Sequence, residues 1–368
     1  MRTTSLFAQI IDKYFQAGTI KKITEKINGE EKEQPLLHKT MLTEEYSNDL
    51  TWTSADYDES VVAADLVTMD SSLPLKSRDT FGKAVGEIPK LGIKYQLREK
   101  DLKELQILQR VGGKEAEIAA KLLKLPTRCI KGMDIRKEIM FLEGLSTGQM
   151  AVAHPDKEGV AIRVDFGYKA EHFFKATTSA WSSVANASPV DDIRQMFDAA
   201  EAEGKTIGHV ILTKKYFDYL RNSVQGKKLA ANFMGQVVTA NTQLVVPTRQ
   251  RMLDALEDEF GATFEYISPK FQVEKVDGTK QKVTPFAEAN VVGIPAKNMG
   301  RLVYSDLVEE ANPVAGVSYS KSGSHVLISQ YSMNEPSLAE YTSGQAFVLP
   351  VIDNGANVFV LQADQTNA

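Results

Sequence analysis

Gly144-Leu145-Ser146-Thr147-Gly148 is the stretch that most resembles a catalytic motif, because it satisfies the G-x-S-x-G pattern of a nucleophile elbow. That device needs a strand before the serine and a helix after it, so that a strained turn presents the hydroxyl. Here the order is reversed: residues 133–143 read as helix and residues 151–154 as strand. Two glycines closing a helix account for the pattern. Gly112-Gly113-Lys114 precedes a helical stretch, but residue 115 is Glu where a phosphate loop needs Ser or Thr, so a hinge between helices is expected. His38, His154, His172, His209 and His325 are scattered, with no pair at zinc-ligand spacing, and are expected on the surface or in the core. Asp191 and Asp192 follow Pro189 at a helix start, where carboxylates complement the helix dipole. Asp56, Asp58 and Glu59 read as a solvated acidic face rather than a cation site. These residues predict no catalytic group, no cofactor and no metal.

The elements that would have to position any chemistry point elsewhere. The chain has 368 residues, 43% hydrophobic and 25% charged, an ordinary globular composition with enough apolar mass for one large or two modest cores. A net charge of -5 excludes whole-molecule attraction to nucleic acid. The single cysteine, Cys129, cannot form an internal disulfide, which fits a reducing compartment. No uninterrupted apolar run is long enough for a membrane, and Gln9, Asp12 and Lys13 break the N-terminal apolar stretch, so no signal peptide is expected.

Residues 4–17 have the spacing of a short amphipathic helix, with Phe7 and Ile11 on its apolar face. Residues 19–50 follow without a strong period, a stretch expected not to bury itself and to serve as a linker or as an arm that packs on something else. Residues 51–96 read as a long β-hairpin with a turn-rich tip at Asp70, Ser71, Ser72 and Pro74. Trp52, Val61, Leu66, Phe81 and Ile88 on this excursion are expected to lack internal burial and to pack on neighbouring molecules. Helices are expected over 99–110, 114–124 and 133–143, with Pro126 kinking or ending the middle one. Strands are expected at 151–154 and 159–168. A helix over 189–203, a strand at 209–213, helices over 214–222 and 248–260 and a strand at 264–267 then argue for a compact α/β domain from about 185 to 305. Further strands are expected near 325–331, 346–351 and 357–362.

Five stretches, in order, resemble the lambda-type bacteriophage major capsid proteins, the phage capsid protein E family. They are Arg136-Lys137-Glu138 running into Gly144–Gly148, Met150 and Val152; Val164-Asp165-Phe166-Gly167-Tyr168; Trp181-Ser182 with Ala187-Ser188-Pro189 and Asp192-Ile193; Val291-Val292-Gly293-Ile294-Pro295 with Gly300; and Ala346–Pro350 with Asn357–Leu361. The resemblance spans roughly residues 50–363, and its departures are Gln149 in place of the usual lysine, Pro126 within the expected long helix and the absence of a family motif in residues 1–50.

The resemblance implies an α+β Hong Kong 97-like capsid fold. Its parts would be an N-terminal arm (1–50), an extended E-loop (51–96), a peripheral domain with a spine helix (97–184), an axial domain (185–323) and return strands to the peripheral domain (324–368). It implies a structural protein of the virion, not an enzyme, that assembles with itself as hexamers and pentamers into an icosahedral shell around double-stranded DNA without gripping it specifically. Scaffolding protein, portal and decoration protein are the implied partners, and the host cytoplasm the implied place of assembly. Phe7, Ile11, Trp52, Val61, Leu66, Lys76, Phe81, Lys83 and Ile88 are the interface candidates, and Trp181 and Pro189 the structural anchors. A cellular nanocompartment shell of the same fold and, from another class, a small-molecule enzyme built on the α/β domain are the alternatives.

Overall fold

The computed structural model describes residues 2–3, 5, 36–56, 82–110, 115–153, 161–236, 244–274, 277–334 and 337–366. The chain forms two compact units, each assembled from separated stretches: residues 1–52, 86–140 and 301–351 make the first, and residues 53–85, 141–300 and 352–368 the second.

The first unit is built on a seven-stranded sheet. Its main path runs β1 (Arg2–Thr3), β16 (Val326–Met333), β17 (Ala339–Ile352), β14 (Gly300–Ser305) and β2 (Leu42–Tyr46), with β15 (Ser318–Ser322) also paired to β16 and β5 (Lys90–Leu97) also paired to β17. β17 is 14 residues long, which lets one strand carry several partners along its length. Short helix α1 (Leu37–Met41) precedes β2, α2 (Glu99–Arg110) follows β5, and α8 (Val308–Ala311) follows β14. The long helix α3 (Glu115–Thr147) approaches this sheet closely. A Cβ on Gly132 would meet Ile93 Cδ1 at 2.9 Å, and one on Gly344 would meet the Cys129 Cβ at 3.0 Å, so small residues set the spacing. Cys129 is fully buried there, and burial pushes its thiol up to about 12, which leaves it inert.

α3 is one helix of 33 residues that runs through Pro126. The expected break is therefore corrected. Proline removes one N–H and crowds the preceding turn, but Thr127 Oγ1 donates to the Leu123 carbonyl at 2.8 Å, and Leu122, Leu125, Cys129 and Ile130 around the site are buried. Tertiary packing outweighs the local penalty. Gly144 does not close the helix either. It lies inside α3, where glycine is required because a Cβ would fall 2.6 Å from the Phe166 ring, and Gly148, at φ 75°, ends the helix.

The second unit is a five-stranded sheet in the order β10 (Thr263–Ile267), β9 (His209–Thr213), β13 (Asn290–Ile294), β18 (Phe359–Thr366) and β8 (Phe173–Ala176). β9 and β13 are buried at every position, as strands covered on both faces must be. Helices α4 (Pro189–Ala202), α5 (Lys214–Asn222), α6 (Val224–Phe233) and α7 (Arg249–Phe260) supply its core with Ile193, Met196, Phe217, Leu220, Met252 and Leu256. Local signals set their ends. Pro189 occupies the first turn of α4, the Ser223 hydroxyl accepts from Gly226 N at 2.9 Å to cap α6, and Gly261 at φ 65° stops α7. Three two-stranded ribbons complete the described elements: β3 (Thr51–Asp56) with β4 (Gly82–Glu87), β6 (Gln149–Ala153) with β7 (Ala161–Asp165), and β11 (Phe271–Glu274) with β12 (Lys280–Val283).

The closing strands divide between the sheets. β16 and β17 lie in the seven-stranded sheet, whereas β18 lies inside the five-stranded one, between β13 and β8. Residues 324–368 are thus not one set of strands returning to one sheet. Val360 and Leu361, both fully buried, are the reason: an apolar run with that burial belongs in a sheet interior.

Candidate assembly surfaces

The interface candidates fall into two groups. Phe7, Ile11, Val61, Leu66, Lys76 and Phe81, and the side chain of Lys83, lie outside the described residues. Trp52 and Ile88 are described, and the expectation that they lack internal burial is corrected: each is 4% exposed within the first unit. The backbones there are tied by Ile88 N donating to Leu50 O at 2.8 Å, and a Cβ on Gly86 would meet the Trp52 indole nitrogen at 2.7 Å. Trp52 thus fills the base of the hairpin.

Both described ends of the expected N-terminal arm are also held on the chain's own first unit. Arg2 and Thr3 pair antiparallel with Met333 and Ser332, and Ser5 Oγ donates to Glu340 at 2.7 Å. Leu37 and Met41 are buried, and β2 is part of the large sheet. For residues 36–46 this corrects the expectation that the stretch cannot bury itself; residues 19–35 lie outside the described residues.

A buried ionic cluster fastens that segment. Asp134 on α3 meets Lys137 one turn on at 2.7 Å and Lys39 on α1 at 2.8 Å. Burial raises the Asp134 carboxyl, but Lys137 and Lys39 outweigh it and hold it at about 2. Lys137 Nζ also lies 3.0 Å from His325 Nε2 on the loop before β16. Burial, followed by the Lys137 charge, depresses His325 to about 3. Glu138 takes up the N-terminus of α1, accepting from Leu37 N and His38 N at 3.0 Å each and pairing with His38 Nδ1 at 2.7 Å. Sequence reasoning did not give these residues a role, although Arg136-Lys137-Glu138 stood out as a family-like stretch. The available signal was charge at 134, 137 and 138 on a helix whose neighbours are apolar.

In the second unit, Trp181 and Pro189 sit at a polar node inside the core. Trp181 is 1% exposed and its Nε1 donates to Asp192 Oδ2 at 2.8 Å. Asp192 Oδ1 accepts from Thr177 N at 2.8 Å and from Thr177 Oγ1 at 2.6 Å. Asp192, fully buried, therefore does more than complement the helix dipole; it joins the start of α4 to the loop after β8. Asp191 faces solvent and pairs with Arg194 at 2.9 Å.

The enzyme-like motif is structural. Ser146 is fully buried, donates to Glu143 O at 3.3 Å and accepts from Ala287 N at 3.0 Å, while its carbonyl receives Asn290 Nδ2 at 2.7 Å. Its oxygens are spent on joining the end of α3 to the approach of β13. Glu171, His172 and Glu203 could geometrically hold a cation, yet His172 uses both nitrogens, on Val358 O at 3.1 Å and Glu203 Oε1 at 2.8 Å, and Lys205 occupies Glu203 Oε2 at 2.8 Å. Among the described residues the most exposed large apolar side chains are Val245 (79%), Val308 (74%) and Ile107 (52%).

The model of the family described as phage major capsid protein E matches residues 19–321. The chain belongs to that family. A crystal structure of a prophage protein of E. coli CFT073, described as its capsid protein, superposes with a TM-score of 0.56 at 13% identity, covering 98% of this chain and 99% of that one. A phage-related protein from Bordetella bronchiseptica RB50 gives 0.48 at 12% identity, covering 93% and 96%, and the capsid of Myoviridae phage XM1 gives 0.44 at 11%, covering 88% and 90%. No curated protein sequence matches the chain. The protein is a major capsid protein with the Hong Kong 97-like fold, a structural coat subunit and not an enzyme. As a member of a capsid family it is a component of the virion that assembles with copies of itself into a shell. No helix among the described residues is long and apolar enough to cross a membrane.

Proposed function

We propose that this capsid protein assembles as hexamers and pentamers into an icosahedral phage head that encloses double-stranded DNA. The observation that carries the reading is the family match over residues 19–321. The net charge of -5 supports a container that does not grip its cargo, since a genome must be driven in and let out. Scaffolding, portal and decoration proteins would be its partners, and the host cytoplasm its place of assembly.

In this reading residues 51–96 form the E-loop and residues 1–50 the N-terminal arm, held at Ser5 and over residues 37–46 on its own subunit. Residues 97–184 give the peripheral domain and residues 185–323 the axial domain. Phe7, Ile11, Val61, Leu66, Lys76, Phe81 and Lys83 stay candidates for contact with neighbouring copies, whereas Trp52 and Ile88 support the hairpin from within. Trp181 and Pro189 keep their role as anchors through Asp192. One weak contact becomes decisive when symmetry repeats it around a closed shell. Electron microscopy of the full chain co-expressed with its scaffold tests the proposal. Closed particles with fivefold and sixfold capsomers are expected, and a compact monomer as the sole species under those conditions overturns it.

A further inference from the structure

We propose that the Lys137–His325 contact is an acid-sensitive latch: protonation of His325 releases residues 36–46 from helix α3 and the large sheet of their own subunit. The inference goes beyond the coat role, because it can be read on a free subunit or on a shell.

The geometry fixes the protonation state. A lysine ammonium only donates, so at 3.0 Å the His325 Nε2 must accept, which puts the ring proton on Nδ1. Nδ1 faces Glu44 of β2 at 3.8 Å. A second proton has only Nε2 to go to. There it removes the acceptor Lys137 uses and sets two cations in contact inside a buried site, where Lys137 is 4% and His325 5% exposed. The groups that face His325 come from every packed element: Lys137 and Asp134 on α3, His38 on α1, Glu44 on β2, Tyr304 on β14 with ring centroids 5.4 Å apart, and Lys321 on β15. Ser324 Oγ donates to Glu44, so that carboxylate already has a neutral partner.

The cluster can open where it does because the mobile part is small. Asp134 and Lys137 stay on α3 whatever happens. What they hold is Lys39, and Glu138 holds the N–H groups of Leu37 and His38. α1 is five residues long and has no side-chain cap of its own, so its stability is lent by Glu138 and Asp134. β2 is the last strand of its sheet path, with Leu42 half-buried and residues 43–46 exposed, so it peels without disturbing the strands inside. The depressed titration of His325 agrees with this arrangement.

Hydrogen exchange of the full chain, followed from pH 7 to pH 4.5 and expressed as protection factors, tests the latch. Protection of residues 37–46 should fall about tenfold per pH unit, the slope of one proton taken up on opening, while residues 209–213 and 290–294 keep theirs. His325→Gln, which retains an acceptor but cannot be protonated, should keep the protection at pH 7 and lose the slope. A flat wild-type profile, or loss in step with the five-stranded sheet, overturns the latch, as does an unchanged slope in H325Q. The wild-type His325 ring shift, read by NMR, needs no variant. It should move only as residues 37–46 lose protection, and a ring titrating near 6.5 with the segment still in place also overturns the proposal.

Discussion

At the scale of single residues, stability rests on a few buried polar groups whose partners are all supplied by the chain. Trp181→Phe keeps the ring and removes the N–H to Asp192, leaving a fully buried carboxylate oxygen short of a donor; a loss of about 1–3 kcal/mol in urea unfolding is expected. Lys137→Met breaks one side of a buried ion pair and leaves Asp134 with Lys39 alone, which should cost about 3 kcal/mol. The pH dependence has a definite sign. Asp134 is lowered from 3.8 to about 2 and His325 from 6.5 to about 3, so both bind protons more readily unfolded. Their stabilising contribution is complete above 6.5 for His325 and above 3.8 for Asp134, and is lost as pH falls towards the folded values. Unfolding midpoints measured at pH 7 and pH 4.5 should therefore differ, with the acid sample less stable by roughly 2 kcal/mol.

At the scale of elements, the most informative one is α3. Pro126→Ala restores an N–H and relieves the crowded turn, so a modest rise in Tm is expected, offset in part by the freer unfolded chain. Gly144→Ala should do the opposite, by about 1–3 kcal/mol, because the added methyl meets the Phe166 ring at 2.6 Å. These two positions also show what was legible in the sequence. Helices with clean ends, such as Pro189–Ala202 and Arg249–Phe260, and the strand His209–Thr213 were readable because cap, period and burial agree locally. Pro126 and Gly144 were misread because their local signals point one way and distant contacts the other. Helix Val224–Phe233 was missed, since Gly226 looks like a breaker, whereas it is the close approach of the Leu220 carbonyl, 2.1 Å from where a Cβ would stand, that requires glycine there. The ionic cluster was invisible for the same reason: residues 39, 134 and 325 meet only in the folded chain.

At the scale of the whole molecule, both described ends of residues 1–50 are held on the first unit, by β1 and Ser5 at one end and by α1 and β2 at the other. Removing residues 1–35 takes away the two-residue β1 and the Ser5–Glu340 bond but keeps α1, β2 and Lys39, so it should impair shell formation while lowering Tm less than removal of residues 1–50; sedimentation and calorimetry on the two truncations separate these outcomes. The threading of the two units has a different consequence. The chain changes unit at 52/53, 85/86, 140/141, 300/301 and 351/352, and β18, close to its end, lies between β13 and β8. A ribosome must therefore deliver the chain as far as Val351 before the first unit can close and through β18 before the second can. A product of premature termination before Phe359 has a gap inside its five-stranded sheet, so translation errors are screened by folding itself before a faulty copy can enter a particle.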